Sequence, residues 1–249
     1  MVVMEVFPFC QTLKTCTGKM IQRRRDYGKR EPSRDAHKIY IVCEGEGTEP
    51  DYFEFFEGLS SNLQVIPIPP ENGTDPLKLL ELAKQKLISD GRIYTIEYEH
   101  HDTVWFVIDT DKWEEEGKIA PLREFCSQMN ASIPKVFDEV KVYNAWNVAQ
   151  SNPCFEIWLY YHFYDNVPSE DDVEKYTTFK EYVNSTISGG FSFDRDPVRI
   201  EDAIINAEKN HSVDEKMKPQ LFTTEVYILG KEIDAFVGSD IKKLVNKLR

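Results

Sequence analysis

Two acidic clusters each close an apolar run: Ile39-Tyr40-Ile41-Val42-Cys43 leads into Glu44-Gly45-Glu46, and Thr103-Val104-Trp105-Phe106-Val107-Ile108 leads into Asp109-Thr110-Asp111. Glu44, Asp109 and Asp111 at neighbouring strand ends would crowd three like charges, an arrangement that a divalent cation neutralises. Hard carboxylate oxygens suit Mg²⁺ or Mn²⁺. Such an ion, held by one or two carboxylates, keeps positions open for phosphate oxygens, so the chemistry expected is phosphoryl transfer. Alternation along a strand puts Asp109 and Asp111 on one side and turns Thr110 away. Lys112, beside the pair, could offset charge developing on a phosphate.

The elements that must position these groups follow from pattern. Both runs are rich in β-branched and aromatic residues and read as buried strands of a parallel sheet, whose ligands bind outside the carboxyl ends. Gly45 and Gly47 supply a tight turn, and Thr48-Glu49-Pro50 opens a helix reaching about Leu59. Leu63–Ile68 reads as a strand stopped by Pro69-Pro70. Asp75-Pro76 opens a helix to about Ser89, Pro121–Asn130 is a further helix, and Val140–Ala145 a further strand. Strand alternating with helix predicts an α/β fold with a mainly parallel sheet flanked by helices.

Ser151-Asn152-Pro153 predicts a helix start with Asn152 as N-cap and Pro153 in the first turn. On that helix His162 shares the apolar face of Phe155, Trp158 and Leu159, which makes it a core residue. Glu156 has two readings: it stabilises the helix dipole by a few tenths of a kcal/mol, or it points at the metal site. From about residue 166 the pattern is helical and polar, with helices expected at 171–185, 198–210 and 239–248. Thr223–Ile233 fits a strand and a helix equally. The organisation expected is a basic arm over 1–37, an α/β core over 38–165 and a helical C-terminal extension over 166–249.

A net charge of -13 argues against a protein that coats nucleic acid by bulk electrostatics, but not against a nuclease, because screening and bound metal act locally. The charge is uneven. Arg23, Arg24, Arg25, Lys29 and Arg30 lie in a basic segment before the first strand and are the candidate nucleic-acid contacts, with a solvated leader as the alternative. Five cysteines without CxxC spacing suggest reduced thiols, not a disulfide framework or zinc site. No apolar run approaches the roughly 20 residues of a membrane span and no secretory signal is visible, so the expected location is the cytoplasm.

Glu44 with its glycine turn and the Asp109-Thr110-Asp111 pair together resemble the Toprim fold of topoisomerases, primases and OLD-family nucleases. More closely, Val42-Cys43-Glu44-Gly45-Glu46-Gly47-Thr48-Glu49-Pro50-Asp51-Tyr52-Phe53, the aspartate pair, and Ser151-Asn152-Pro153-Cys154-Phe155-Glu156-Ile157-Trp158-Leu159 resemble three signatures of the RloB family of bacterial defence proteins. The likeness covers about residues 38–165. It implies a Toprim-like sheet in which Asp109 and Asp111 hold the metal and Glu44 acts near the attacking or leaving oxygen. Glu49 resembles a second acidic position that supports another ion or orients the first. The candidate catalytic groups are thus Glu44, Asp109, Asp111 and Lys112; the candidate ligands are Glu44, Glu49, Asp109, Asp111 and Glu156.

The resemblance further implies a metal-dependent nuclease, cutting DNA or RNA such as tRNA, that serves as an anti-phage abortive-infection effector under an ATPase partner. The competing reading is a catalytically silent scaffold that docks the ATPase or binds nucleic acid passively. A homodimer is compatible with either. No P-loop is present, so the chain itself is not expected to hydrolyse ATP.

Overall fold

The computed structural model describes residues 29–133, 143–215 and 217–248, with the side chains of Asp111, Lys247 and Leu248 outside the description. Five strands form one sheet in the order β2-β1-β3-β4-β5. β1 (His37–Cys43), β2 (Leu63–Ile68), β3 (Thr103–Asp109) and β4 (Trp146–Asn152) are parallel, and the two-residue β5 (Thr223–Thr224) is antiparallel to β4. Among the described residues, no helix is long and apolar enough to cross a membrane.

Strand alternation divides the core in two. Ile39, Ile41, Cys43, Trp105 and Val107 face a large cluster with α1 (Thr48–Glu54), α4 (Glu156–Tyr161), α6 (Phe179–Thr186), α7 (Ile200–Asn210) and α8 (Val226–Leu248). Tyr40, Val42, Val104, Phe106 and Ile108 face the other cluster, with α2 (Pro76–Ala83) and α3 (Ile119–Ser132). The short α5 (Glu170–Val173) completes the set. The remaining turns of helix are 3₁₀ or π in type.

Local sequence explains most boundaries. The Asp75 side chain accepts from the Leu77 and Lys78 amides and Pro76 occupies the first turn, so α2 starts where a good cap dictates. Val226, Leu229, Ile233, Val237 and Ile241 form the buried stripe of α8, each contributing roughly 1.5–3 kcal/mol of burial. The expected ambiguity over 223–233 resolves into both forms, a two-residue strand followed by this helix. The two-residue pairing ends at Thr224, and the apolar period of 3 to 4 takes over.

Several boundaries differ from expectation: α1 ends at Glu54 and not near Leu59, the helix expected over 171–185 is broken into α5 and α6, and the helix expected over 239–248 is the last part of α8, which starts at Val226. The fourth strand is Trp146–Asn152, not Val140–Ala145, of which residues 140–142 lie outside the described residues. Its polar residues disguise it, yet they are paired: the Gln150 side chain bonds Arg123 and Thr110, and the Ser151 hydroxyl bonds that of Thr224. Consequently Asn152 ends a strand and does not cap a helix; its side chain donates to the Pro219 carbonyl, and α4 begins at Glu156.

Candidate functional site

Parallel register sets the site. Cys43 pairs with Val107 and Asp109 with Ser151, so β1, β3 and β4 end side by side. The Glu44 amide donates to the Val107 carbonyl at 3.1 Å, and the Glu44 carboxylate turns back to accept from the Asp109 amide at 2.8 Å. Its other oxygen accepts from the indole N–H of Trp113 at 2.6 Å. Asp109 in turn accepts from the Phe155 amide at 2.8 Å, which joins β3 to the start of α4. The positive end of that short helix thereby faces a carboxylate.

Glu49, in the first turn of α1, is 4 % exposed and accepts from the Gly45 amide at 3.0 Å. A Cβ at position 45 would lie 2.0 Å from the Glu49 carboxylate, whereas one at Gly47 would meet nothing. The glycine needed in Glu-Gly-Glu-Gly is therefore the first, for close approach and not for a left-handed turn. Glu156 is 6 % exposed; its Oε1 lies 3.3 Å from the Lys180 ammonium, and its Oε2 has no hydrogen-bond partner among the described residues.

The electrostatics bind these groups together. Burial first, then Glu44, Glu49 and Glu156, push the Asp109 carboxyl well above its ordinary value, with Lys180 pulling it down. Burial also raises Glu49, against hydrogen bonds from its own amide and that of Gly45; Glu156 adds to the rise and Lys180 opposes it. Burial works against the charge of Lys180, but Glu156 and then Asp109 outweigh it and hold its ammonium above the usual value. Burial, with Glu156 and Asp109 nearby, pushes the Cys154 thiol far up, so no thiolate nucleophile is available there.

Glu44, Asp109, Glu49 and Glu156 thus converge from β1, β3, α1 and α4. Asp111 is placed differently from the alternation argument: Thr110 turns helical and Asp111 starts a 3₁₀ turn, so the pair does not lie along one strand. Thr110 does not point away idly either; its hydroxyl donates to the Ser151 carbonyl and accepts from Gln150. Lys112 lies over the Trp113 ring at 4.6 Å, as does Lys118 at 4.5 Å. Among the described residues, no three His, Cys, Asp or Glu side chains are grouped so that they could hold a metal ion. Arg23, Arg24 and Arg25 lie outside the described residues. Lys29 and Arg30 run beside Gly58, and Arg30 pairs with Asp240 of α8 at 3.4 Å.

Two participants escaped the sequence reading. Trp113 is distinguished only by following Lys112, and nothing in its type announces a donor to Glu44. Lys180 is 71 positions from Asp109 on α6; only the packing of α6 against α4 brings it in.

A model of the RloB-like protein family matches residues 39–248. The chain belongs to the RloB-like family. The match runs through α8, well past the 38–165 span that carries the three signatures, so Lys180 lies inside the family region of this RloB-like protein. Searches of curated proteins and of solved structures find no match.

Proposed function

We propose that this RloB-like protein is a divalent-metal-dependent nuclease that hydrolyses phosphodiester bonds of DNA or RNA. The observation that carries the reading is the convergence of four carboxylates, one of them a buried Glu156 oxygen without a hydrogen-bond partner among the described residues, at the carboxyl ends of parallel strands. The donor set fits a hard cation. Mg²⁺ needs only one or two protein carboxylates when substrate phosphate completes its shell, so a three-ligand cage in the free protein is not required. Asp109 and Glu156 would hold the ion, with Asp111 following directly after the strand end and Glu49 adjoining.

When bound, a divalent cation supplies Lewis-acid stabilisation of phosphoryl charge and activates water. The protein's own groups do the positioning. Trp113 and the Asp109 amide fix Glu44, so its carboxylate is oriented at the strand end without side-chain freedom. The Gly45 amide holds the buried Glu49 carboxylate. Lys112, exposed above Trp113, is the proposed contact to an incoming phosphate. The basic residues Lys29 and Arg30, and beyond them Arg23, Arg24 and Arg25, are proposed contacts to the nucleic-acid backbone.

By family resemblance, the protein would act in the cytoplasm as an abortive-infection effector held quiet by an ATPase partner. One observation favours the competing scaffold reading: Glu44 is engaged by two internal donors, and no metal-ready trio exists among the described residues. Purified protein, alone and with a candidate ATPase partner, separates the two when incubated with plasmid and with total tRNA in Mg²⁺, Mn²⁺ or chelator. Metal-dependent nicking or cleavage supports the nuclease. Inertness of the activated complex on both substrates assigns the scaffold role.

A further inference from the structure

Lys180 has the geometry of a resident counter-ion. Its ammonium is 3.3 Å from Glu156 Oε1, while its side chain remains 58 % exposed. The helix that carries it does not depend on that contact: Phe179, Tyr182 and Val183 are buried in the large core and anchor α6, and the Thr178 hydroxyl caps it through the Glu181 amide. Lys180 can therefore swing into water while α6 stays docked. The Glu156 side chain it touches is only 8 % exposed, and the second oxygen, Oε2, has no hydrogen-bond partner among the described residues. A buried carboxylate oxygen left so is costly, and a single flexible cation compensates it only in part.

We propose that Lys180 is a displaceable internal cation, occupying the acidic centre when no divalent ion is bound and leaving it when one binds. This rests on the metal-site reading above and adds its regulation. The lysine and the divalent cation compete for the same carboxylates, because both are attracted to Glu156 and Asp109 and their own charges repel. The metal-free site is thereby kept neutral enough to fold, and loading it releases an amine to solvent.

The test uses the full chain and Mn²⁺ alone. Calorimetric titration of the wild type, Lys180→Ala and Lys180→Arg at constant ionic strength reads the competition. Lys180→Ala is expected to bind Mn²⁺ about tenfold more tightly, equivalent to about 1.4 kcal/mol, while Lys180→Arg stays near the wild type. Lys175→Ala, which removes a charge from the neighbouring surface where Lys175 pairs with Asp172, controls for net charge and is expected to bind like the wild type. In parallel, amine acetylation followed by mass spectrometry is expected to show Lys180 becoming more reactive as Mn²⁺ is added. Unchanged or weaker binding by Lys180→Ala, or Lys180 reactivity indifferent to Mn²⁺, overturns the proposal while leaving the metal site standing if the wild type binds. Absence of Mn²⁺ binding in every form overturns both.

Discussion

At the amino end of β1 and β3, Asp102 is fully buried and accepts from the Lys38 and Glu97 amides, and Glu232 of α8 accepts from Thr103, Trp105 and the His37 ring. At the carboxyl end of the same strands, four acids share a few backbone donors, one indole and one exposed lysine. Burial raises Asp102 just as it raises Asp109, although amide donors pull Asp102 down and three carboxylates push Asp109 further up. A perturbed acid is therefore not in itself a sign of function. What separates the two ends is how fully the acids are paired: the Asp102 and Glu232 oxygens meet amides, a hydroxyl, ring N–H groups and, at 3.8 Å, the Lys38 ammonium, whereas Glu156 keeps one oxygen without a hydrogen-bond partner among the described residues.

The sharpest way to break this contrast is at Asp109 and Asp111. Asp109→Asn combined with Asp111→Asn is expected to remove Mn²⁺ binding and to lower any cleavage by roughly a thousandfold or more, with the melting temperature unchanged or higher because repulsion is relieved. Calorimetry and a cleavage assay on the same preparation check it; retained metal binding would dissolve the distinction between the two ends.

His162 sharpens the contrast, being strongly perturbed yet complete. It is fully buried, with its Nδ1 facing the Trp158 carbonyl at 2.9 Å and its Nε2 facing the Tyr52 hydroxyl at 3.1 Å. Burial pulls it down to about 3 from an ordinary 6.5, so between those values the unfolded chain binds the proton and the folded chain does not. Stability is then lost as pH falls through that window, by on the order of 5 kcal/mol from this group alone. The raised Asp109 and Glu49 act oppositely, gaining stability as they protonate. Chemical denaturation from pH 7 to 4 is expected to show a shallower decline in His162→Gln than in the wild type; parallel curves would contradict the neutral, buried assignment.

At the amino end, Asp102→Leu strands the Lys38 and Glu97 amides and is expected to destabilise by about 2–4 kcal/mol without altering Mn²⁺ affinity. A change in affinity would mean that the two ends are coupled. The smallest effect separates two glycines: Gly45→Ala must displace the Glu49 carboxylate and is expected to weaken Mn²⁺ binding several-fold, while Gly47→Ala, with open space around its new methyl, leaves both binding and stability within about 0.5 kcal/mol of the wild type.

Much of this contrast was legible in the residues. β1 and β3 declared themselves as apolar β-branched runs, and Asp75-Pro76 marked the start of α2 because cap chemistry is local. β4 was displaced by several residues because Asn147, Gln150 and Ser151 look like loop until Thr224, Thr110 and Arg123 are brought to meet them. The same long-range pairing hid the site's composition. Glu44 and Asp109 could be placed side by side from strand ends alone, but the turn of Thr110 out of the extended conformation, the Trp113 donor and the Lys180 counter-ion depend on tertiary packing that no spacing encodes.

The most direct test is a crystal of the full chain saturated with Mn²⁺ and measured at the manganese absorption edge. The proposed site predicts an anomalous peak bounded by the carboxylates of Asp109 and Glu156, with the Lys180 ammonium moved away from Glu156. Diffraction showing no peak at that position, with the Lys180–Glu156 pair intact at saturating Mn²⁺, would contradict it.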